Sequence, residues 1–363
     1  MNGGVVCVGA SVRALAASAA AAGLRPVCFD LFADADLRAI CEQAGGRVTR
    51  VEAFDDRLLA AIAQTEARAV VFSGAMENRP TFVDAVAATH PVWGPTGHLL
   101  RRCRDPHVVQ AAAARAGLTP LAVSDRQPSA GDWLWKPLAS AGGVDFDRPE
   151  CGRPGYWQER ARGRPASVQL IDGLAFGVAW HLSPPPHADL AADGRIPVWA
   201  EDVAALVGEL RLPGVCGVDV MIDDRDRPRV LEVNPRYTAS MELTERLTGL
   251  SILAAAAGRD SSTSPPVAGV LGKRTVFAER SMRLAAGQDL TNAGVMVADV
   301  PVMPASIAAG EPVCTVLARA PSIEALPAAL DAAAAAVRRV LTGGHPVDEG
   351  RHGLAESLPS PTV

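Results

Sequence analysis

The segment "GVCGVDVMIDDRDRPRVLEVNPR", residues 214–236, constrains the fold more than any other part of the sequence. Two apolar runs flank a short charged turn, and this pattern predicts an antiparallel β-hairpin. Side chains two residues apart in a strand share a face, so Glu232, Asn234 and Arg236 should project together. In register, Asp219 of the first strand would lie beside Glu232 and Asn234. An acid, an amide and a base on one face of a buried strand predict a binding site.

The residue types of this hairpin favour a hard cation. Asp219 and Glu232 would repel one another, and one pKa would rise, unless a cation lay between them. Oxygen ligands suit Mg²⁺, which is held by one or two carboxylates together with substrate phosphates. Arg236 could then stabilise an anion beside the metal, because a guanidinium matches carboxylate and phosphate geometry. The alternative is a pair of edge strands whose charges face solvent.

A second signal lies upstream, where Lys136 follows the strand-like "WLW" and precedes a loop of small residues, 140–143. A lysine beside such a loop can hold a phosphate as a point charge while backbone N–H groups close over the rest. A lone lysine at a strand end is, however, usually a solvated charge. The position of Lys136 upstream of the hairpin favours the phosphate-binding interpretation.

Residues 4–75 alternate short apolar runs with amphipathic or Ala-rich segments. The predicted strands are residues 4–10, 25–32, 47–54 and 68–75. Alternation of strands and helices of this length predicts βαβ units on a parallel sheet. Gly4 and Gly9 do not form a G-x-G-x-x-G motif, so we interpret the first turn as structural and not as a dinucleotide site.

Further elements follow along the chain. Asp105 as N-cap, Pro106 at the first helical position and Gly117 at the end predict a helix. A strand, turn and strand are predicted at 156–171, and a terminal helix at 322–341.

Composition limits the function. The 363 residues suit two or three subdomains around a shared cleft, and 48% hydrophobic with 21% charged residues is typical of a folded protein. A net charge of −5 without Lys/Arg runs argues against nucleic acid as a partner. No apolar stretch of membrane-spanning length is present, so no membrane partner is expected. Seven scattered cysteines without a C-x-x-C pair predict reduced thiols and a cytoplasmic location.

The order of these motifs over residues 1–340 resembles the ATP-grasp superfamily: Lys136 with its small-residue loop, then "QE", "GVDVMID" and "VLEVNPR". The resemblance implies an α/β and α+β chain, an ATP-grasp fold with an N-terminal βαβ (pre-ATP-grasp) domain. The implied divisions are 1–97 for the N-terminal domain, 98–160 for the lid or small subdomain, 161–342 for the large subdomain with the C-terminal region, and 343–363 for a disordered tail.

The resemblance also implies roles for residues. Asp219, Glu232 and Asn234 would bind Mg²⁺, or alternatively Mn²⁺, bridging the phosphates of ATP. Arg236 would be catalytic and stabilise an acyl phosphate and its tetrahedral successor. The implied nucleotide-binding residues are Lys136, Ser140, Gly142, Gly143, Gln158, Glu159 and Ala161, with main-chain groups near the last two meeting the adenine.

One feature of the family is missing. Family members often carry a second nucleotide lysine just after the aspartate that opens the helix before the lid. Here Pro106 follows Asp105. Arg102 or Arg104 could substitute for this lysine, although neither is at the matching position. The stretch from Lys136 to the "QE" pair is also short, so a reduced lid is expected.

The implied reaction is activation of a carboxylate by ATP as an acyl phosphate, followed by attack of an amine. Small-molecule carboxylate and amine substrates are the expected partners, and a homodimer is expected from relatives. The segments "DLFADADL" and "NPRYTASMELTE" resemble ATP-grasp proteins of bacterial tetrahydromethanopterin and methanofuran-type one-carbon cofactor biosynthesis. The alternatives are a non-catalytic nucleotide-binding sensor or assembly subunit, and a bicarbonate-using enzyme of purine biosynthesis.

The residues that follow the hairpin permit two interpretations. Tyr237, Ser240, Glu242 and Glu245 could recognise an amine, or the two glutamates could be first-turn charges that favour a helix N-terminus. His181 could contact the acceptor substrate or be structural.

Overall fold

The computed structural model describes residues 3–139, 146–184, 188–259 and 269–342. The first unit is a parallel sheet with helices on its faces. Its strands are β1 (Gly4–Gly9), β2 (Arg25–Asp30), β3 (Arg47–Arg50) and β4 (Ala69–Phe72). Its helices are α1 (Arg13–Ala21), α2 (Ala35–Gln43), α3 (Asp56–Ala63) and α4 (Pro80–Ala87).

The strand order of this sheet is β3–β2–β1–β4, and its pairings are parallel, as predicted. The order reverses between β1 and β4, so the loops after these two strands border the crevice where open α/β sheets bind ligands. Each predicted strand is present but shorter than expected. The strand predicted at 68–75 ends at Phe72, because Ala75 adopts a left-handed φ of 81° that an extended strand cannot contain.

A second, small sheet follows two helices. The helices are α5 (Gly97–Arg104) and α6 (Pro106–Arg115), and the strands are β5 (Val123–Ser124), β6 (Trp133–Pro137) and β7 (Gly155–Glu159), in the order β5–β7–β6. The Asp105 side chain caps α6 by accepting from the N–H groups of His107 and Val108, which confirms the predicted helix start. The loop residues Ser140, Gly142 and Gly143 lie outside the described residues.

The largest sheet has eight strands, in the order β12–β11–β8–β9–β10–β13–β17–β15. They are β8 (Arg164–Ile171), β9 (Leu174–His181), β10 (Leu190–Ala192), β11 (Val215–Ile222), β12 (Pro228–Asn234), β13 (Val270–Phe277), β15 (Met296–Ala298) and β17 (Pro312–Ala320). A separate pair is formed by β14 (Met282–Leu284) and β16 (Ala305–Ile307). The remaining helices are α7 (Trp199–Leu210), α8 (Met241–Thr248), α9 (Ile252–Ala256) and α10 (Leu326–Thr342).

Helices cover both faces of the eight-stranded sheet. On one face, Leu206 and Leu210 of α7 share a buried cluster with Val218 and Val220 of β11. On the other, Leu243 of α8 packs with leucines of β10, β13 and β17. Because neighbouring strand residues alternate faces, Asp219 projects away from α7.

The C-terminal part differs slightly from the prediction. The terminal helix begins at Leu326, later than the predicted residue 322, because residues 321–325 form a turn in which Ser322 Oγ accepts from the N–H of Ala325. The predicted tail, 343–363, lies outside the described residues. None of the helices in the described ranges is long and apolar enough to cross a membrane.

Candidate functional site

The hairpin of β11 and β12 brings the predicted polar residues together. Asp219 is the register partner of Glu232, and Gly217 is the partner of Asn234. The amide nitrogen of Asn234 donates to Asp219 Oδ2 at 2.9 Å and lies 3.4 Å from Glu232 Oε1. The sequence-based juxtaposition of the two carboxylates and the amide is therefore present in the structure.

A β-bulge lies directly beside the polar face of this hairpin. Val220 pairs with Val230 and Asp219 pairs with Glu232, which leaves Leu231 as the extra residue of β12. The Leu231 carbonyl accepts instead from Lys136 Nζ at 3.1 Å and from Gln158 Nε2 at 3.2 Å. The bulge thus docks the small sheet onto the hairpin beside the two carboxylates.

Lys136 provides a positive charge next to the two carboxylates of this site. Its side chain is only 4% exposed, and Nζ lies 3.6 Å from Glu232 Oε2 and 3.4 Å from Gln158 Oε1. Burial opposes the charged form, but Tyr156 and the carboxylates of Glu232 and Asp219 outweigh it and raise the Lys136 pKa. The ammonium therefore stays charged in a largely enclosed position.

The pKa values of the two carboxylates are shifted in opposite directions. Burial, and then the negative charge of Glu232, raises the pKa of Asp219. Burial also acts against ionised Glu232, but the positive charges of Lys136, Arg104 and Arg236 prevail and lower its pKa to about 2. An acid held ionised beside a second acid that resists ionisation is the electrostatic situation that a divalent cation relieves.

The donor set fits Mg²⁺ in its chemistry. Two carboxylates and one amide oxygen are hard ligands of the kind that Mg²⁺ shares with phosphates and water. Among the described residues, no group of three His, Cys, Asp or Glu side chains is arranged to hold a metal ion. A metal here would use Asp219 and Glu232, joined by Asn234 if its amide turned so that the oxygen, which here accepts from Arg236, faced the carboxylates, and the rest of the shell would come from substrate and water.

His181 is connected to the site through a serine. Its Nε2 lies 2.8 Å from Ser167 Oγ, and Ser167 Oγ donates to Asp219 Oδ1. Ser167 on β8 is the register partner of Asp219 on β11, so the hydroxyl is fixed by the sheet. The imidazole therefore supports the orientation of Asp219 through Ser167, a contact that the sequence did not predict.

Arg236 connects the hairpin to the first sheet. Its Nε donates to Glu77 Oε1 at 2.7 Å and its Nη2 donates to Asn234 Oδ1 at 3.1 Å. Glu77 is 2% exposed, and its Oε2 has no hydrogen-bond partner among the described residues. Sequence reasoning missed Glu77. The available signal was an acid just after β4, at the edge of the sheet where ligands bind.

Three of the implied nucleotide-binding residues, Gln158, Glu159 and Ala161, lie at the end of the small sheet and in the connection to the large sheet. Gln158 is buried toward Lys136, whereas the Glu159 carboxylate faces the other way and accepts from Arg229 Nη2 at 3.0 Å. The Glu159 N–H donates to the Ala122 carbonyl within the sheet region. Ala161 is half-buried in the connection to β8.

A small cavity separates the small sheet from the hairpin. Its volume is about 20 Å³, and its wall includes Arg104, Leu138, Gln158, Leu231 and Glu232. This volume holds about one water molecule. Of the two arginines considered as lysine substitutes, only Arg104 is in the wall, and Pro106 lies there too.

The residues after the hairpin are already bonded within the protein. Glu242 pairs with Arg13, whose Nη2 donates to Oε2 at 2.7 Å, and with Lys273 at 3.4 Å. Glu245 accepts from Tyr237 OH at 2.6 Å and from the Ile252 N–H at 2.8 Å. The hydroxyl of Ser240, in turn, bonds to Thr238 at 2.9 Å. These contacts favour a structural role for the group over recognition of an amine.

The arrangement of these sheets is the ATP-grasp fold, with an α/β sheet preceding it. A family model described as an ATP-grasp domain matches residues 192–240, which include the carboxylate hairpin. A search of curated proteins found no match to this chain.

Several solved structures are similar to this chain over most of its length. Carboxyaminoimidazole ribonucleotide synthase from Aspergillus clavatus, complexed with ATP, is 14% identical, with a TM-score of 0.68 over 93% of this chain and 99% of that one. The L-amino acid ligase of Bacillus licheniformis is 16% identical, with a TM-score of 0.66 over 92% and 97%.

Pyruvate carboxylase of Rhizobium etli is 16% identical, with a TM-score of 0.67. The match covers 92% of this chain but only 37% of that much longer one. At these identities the similarity demonstrates the fold, and the predicted fold class is confirmed.

Proposed function

We propose that this protein is an ATP-dependent ligase that activates a carboxylate as an acyl phosphate and joins the acyl group to an amine. One observation carries the proposal: Asp219 and Glu232 lie side by side on a bulged hairpin, facing buried Lys136 and adjoining Arg236. A relative crystallised with ATP and another named as an L-amino acid ligase support this class of reaction.

We assign metal, phosphate and base binding to different residues of the site. Asp219, Glu232 and Asn234 would hold Mg²⁺ or Mn²⁺, which would neutralise charge on the phosphates of ATP. Lys136 would bind the phosphates as a point charge, and Gln158 with the Glu159–Ala161 segment would line the base. The predicted nucleotide residues of the 140–143 loop complete this set.

In the proposed reaction the substrate carboxylate oxygen takes the γ-phosphoryl group of ATP, and ADP leaves. The amine then attacks the acyl carbon, the phosphate leaves, and the nitrogen loses a proton. Arg236 would stabilise the negative charge of the acyl phosphate and of the tetrahedral oxyanion. Glu77 holds that guanidinium beside Asn234, so the charge would be in place before the substrate arrives.

A non-catalytic nucleotide sensor is the main alternative. Two adjacent acids in a largely enclosed site cost several kcal/mol unless they are compensated. The presence of both acids, together with an arginine fixed by Glu77, favours chemistry over binding alone. The similarity to a purine-biosynthetic enzyme is one of fold. The narrower hypothesis, that the acid and amine belong to methanofuran or tetrahydromethanopterin-type cofactor synthesis, rests on the segments near residues 30 and 240 and stays a prediction.

Nucleotide-dependent thermal stabilisation tests the proposal. Wild type would be compared with Glu232→Ala and with Asp224→Ala, a matched control that removes an exposed acid from the turn of the same hairpin. Ligands would be ATP with Mg²⁺, ATP with chelator, and GTP with Mg²⁺.

We expect MgATP to stabilise wild type and Asp224→Ala by about 2.7 kcal/mol at a hundredfold excess over Kd. Glu232→Ala and the chelator should remove the effect. ADP release would then be screened over panels of acids with amines. Binding of MgATP without ADP release from any acid, with or without an amine, would favour the sensor, and no response of wild type to millimolar MgATP would contradict nucleotide binding altogether.

A further inference from the structure

Two neighbours fix the orientation of the Asn234 amide. Its Oδ1 accepts from Arg236 Nη2 at 3.1 Å, and its Nδ2 donates to Asp219 Oδ2 at 2.9 Å. The reverse orientation would place amide N–H groups against a guanidinium, which can only donate, and the amide oxygen against an ionised carboxylate, which can only accept. While no cation lies between the carboxylates, only the observed orientation is therefore favourable.

A metal ion at the carboxylates would reverse this preference. A cation beside Asp219 and Glu232 attracts the amide oxygen of Asn234 and repels its N–H groups. Turning the amide would supply that oxygen to the metal and would remove the acceptor that Arg236 Nη2 has here. The oxygen of Asn234 thus serves either the metal or Arg236, but not both.

Glu77 carries the acceptor that Arg236 would then need. Its side chain is almost fully buried, and its Oε1 accepts from Arg236 Nε at 2.7 Å. Its Oε2 has no hydrogen-bond partner among the described residues, which is unusual for a buried carboxylate oxygen. A guanidinium can donate to both oxygens of one carboxylate through two parallel N–H groups, so a carboxylate that already holds Nε can also take Nη2.

We propose that Asn234 and Glu77 position Arg236 according to whether the metal is bound. Without a divalent cation, Arg236 bonds to both residues. With one, the Asn234 oxygen turns to the cation, and Arg236 Nη2 exchanges it for Oε2 of Glu77. The proposal rests on the proposed function, since it takes the hairpin as the metal site. Its consequence is that the guanidinium leaves the hairpin only when the metal is in place.

Binding of Mn²⁺ to the full chain without nucleotide tests the exchange, with free Mn²⁺ measured by electron paramagnetic resonance. The variants are Glu77→Gln, Asn234→Asp and the two together. Glu77→Gln removes the second carboxylate oxygen at the same side-chain length. In Asn234→Asp, one oxygen can face Arg236 while the other faces the cation, so no exchange is needed. The matched control is Glu209→Gln, because Glu209 is exposed on α7 and accepts from Arg115 Nε at 3.0 Å.

We expect Glu77→Gln to weaken Mn²⁺ binding roughly tenfold, the effect of losing a hydrogen bond to a charged group. In the Asn234→Asp background the same change should weaken it by about twofold or less, and Glu209→Gln should stay within about twofold of wild type. Loss of the Glu77 charge alone, or of its support for the fold, would act equally in both backgrounds.

Equal losses in the two backgrounds would therefore overturn the exchange and leave the proposed function intact. Absence of Mn²⁺ binding by wild type at millimolar concentration would contradict the metal site and overturn both. Should Glu77→Gln fail to fold by circular dichroism, Glu77→Asp takes its place in the comparison, because it keeps the charge and withdraws the carboxylate from Arg236 by one methylene. The same difference between backgrounds is expected, and its absence would again overturn the exchange.

Discussion

Lys136 provides the sharpest test of the electrostatics at the site, through replacement by methionine, which keeps the length of the side chain and removes its charge. At the observed 3.6 Å from Glu232 Oε2, and with an effective dielectric of about 20, the Coulomb attraction is about 4–5 kcal/mol. The Glu232 side chain is 29% exposed, so water offsets part of this loss. We expect Lys136→Met to lower the free energy of unfolding by about 3 kcal/mol, at the lower end of the range for a broken buried pair.

The same substitution should increase the response to Mg²⁺. Without the ammonium, Asp219 and Glu232 face one another with less compensation, and Mg²⁺ no longer competes with Lys136. We expect Mg²⁺ alone to raise the free energy of unfolding of Lys136→Met by up to about 2.7 kcal/mol at a hundredfold excess over Kd. The increase for wild type should be smaller. The assay is urea denaturation followed by tryptophan fluorescence at pH 7.5, with chelator or with Mg²⁺.

The control is Lys273→Met, which removes the only other lysine of the sequence. Lys273 lies 3.4 Å from Glu242, but Glu242 keeps Arg13 and Arg246 as partners. We expect Lys273→Met to lose less stability than Lys136→Met, because Glu242 stays compensated by two arginines, and to show no added response to Mg²⁺. The reasoning would be refuted by a Lys136→Met protein as stable as wild type in chelator, or by equal Mg²⁺ responses in the two variants.

Two further outcomes follow from buried acids. Burial raises the pKa of Glu245 from 4.5 to about 7, so the folded state retains a proton that the unfolded state releases, and stability should fall by up to about 3 kcal/mol between those pH values. Glu245→Gln should remove that fall from a plot of unfolding free energy against pH, and an unchanged slope would argue against it. Glu77→Ala leaves the Arg236 guanidinium without its partner at 2.7 Å and should cost about 2–3 kcal/mol in urea denaturation. A loss well under 1 kcal/mol would mean that Arg236 finds another partner.

The hairpin and the first sheet could be predicted because their signals are local. Apolar runs, alternation of faces and a charged turn predict that Asp219 lies beside Glu232, and the register agrees. The helix that starts at Asp105 was predictable for the same reason, since its cap bonds lie within three residues.

Ion pairs between residues far apart in the chain could not be predicted from the sequence. Glu77 and Arg236 are 159 residues apart, and Arg13 and Glu242 are 229 apart. Nothing in the spacing of either pair indicates the other member. The bulge at Leu231 was hidden for a different reason: an alternating pattern of apolar residues fits a regular strand equally well, and the extra residue shows only in the pairing.

The site lies where three of the described sheets meet, and charged groups reach it from the region of each. Glu77 follows β4 of the first sheet, Lys136 is on β6 of the small sheet, and Asp219 and Glu232 are on β11 and β12 of the eight-stranded sheet. Lys136 and Gln158 donate to the Leu231 carbonyl, and these contacts join the small sheet to the hairpin. Under the proposed function a nucleotide would replace contacts of this kind, and part of its binding free energy would be spent on separating the two sheets.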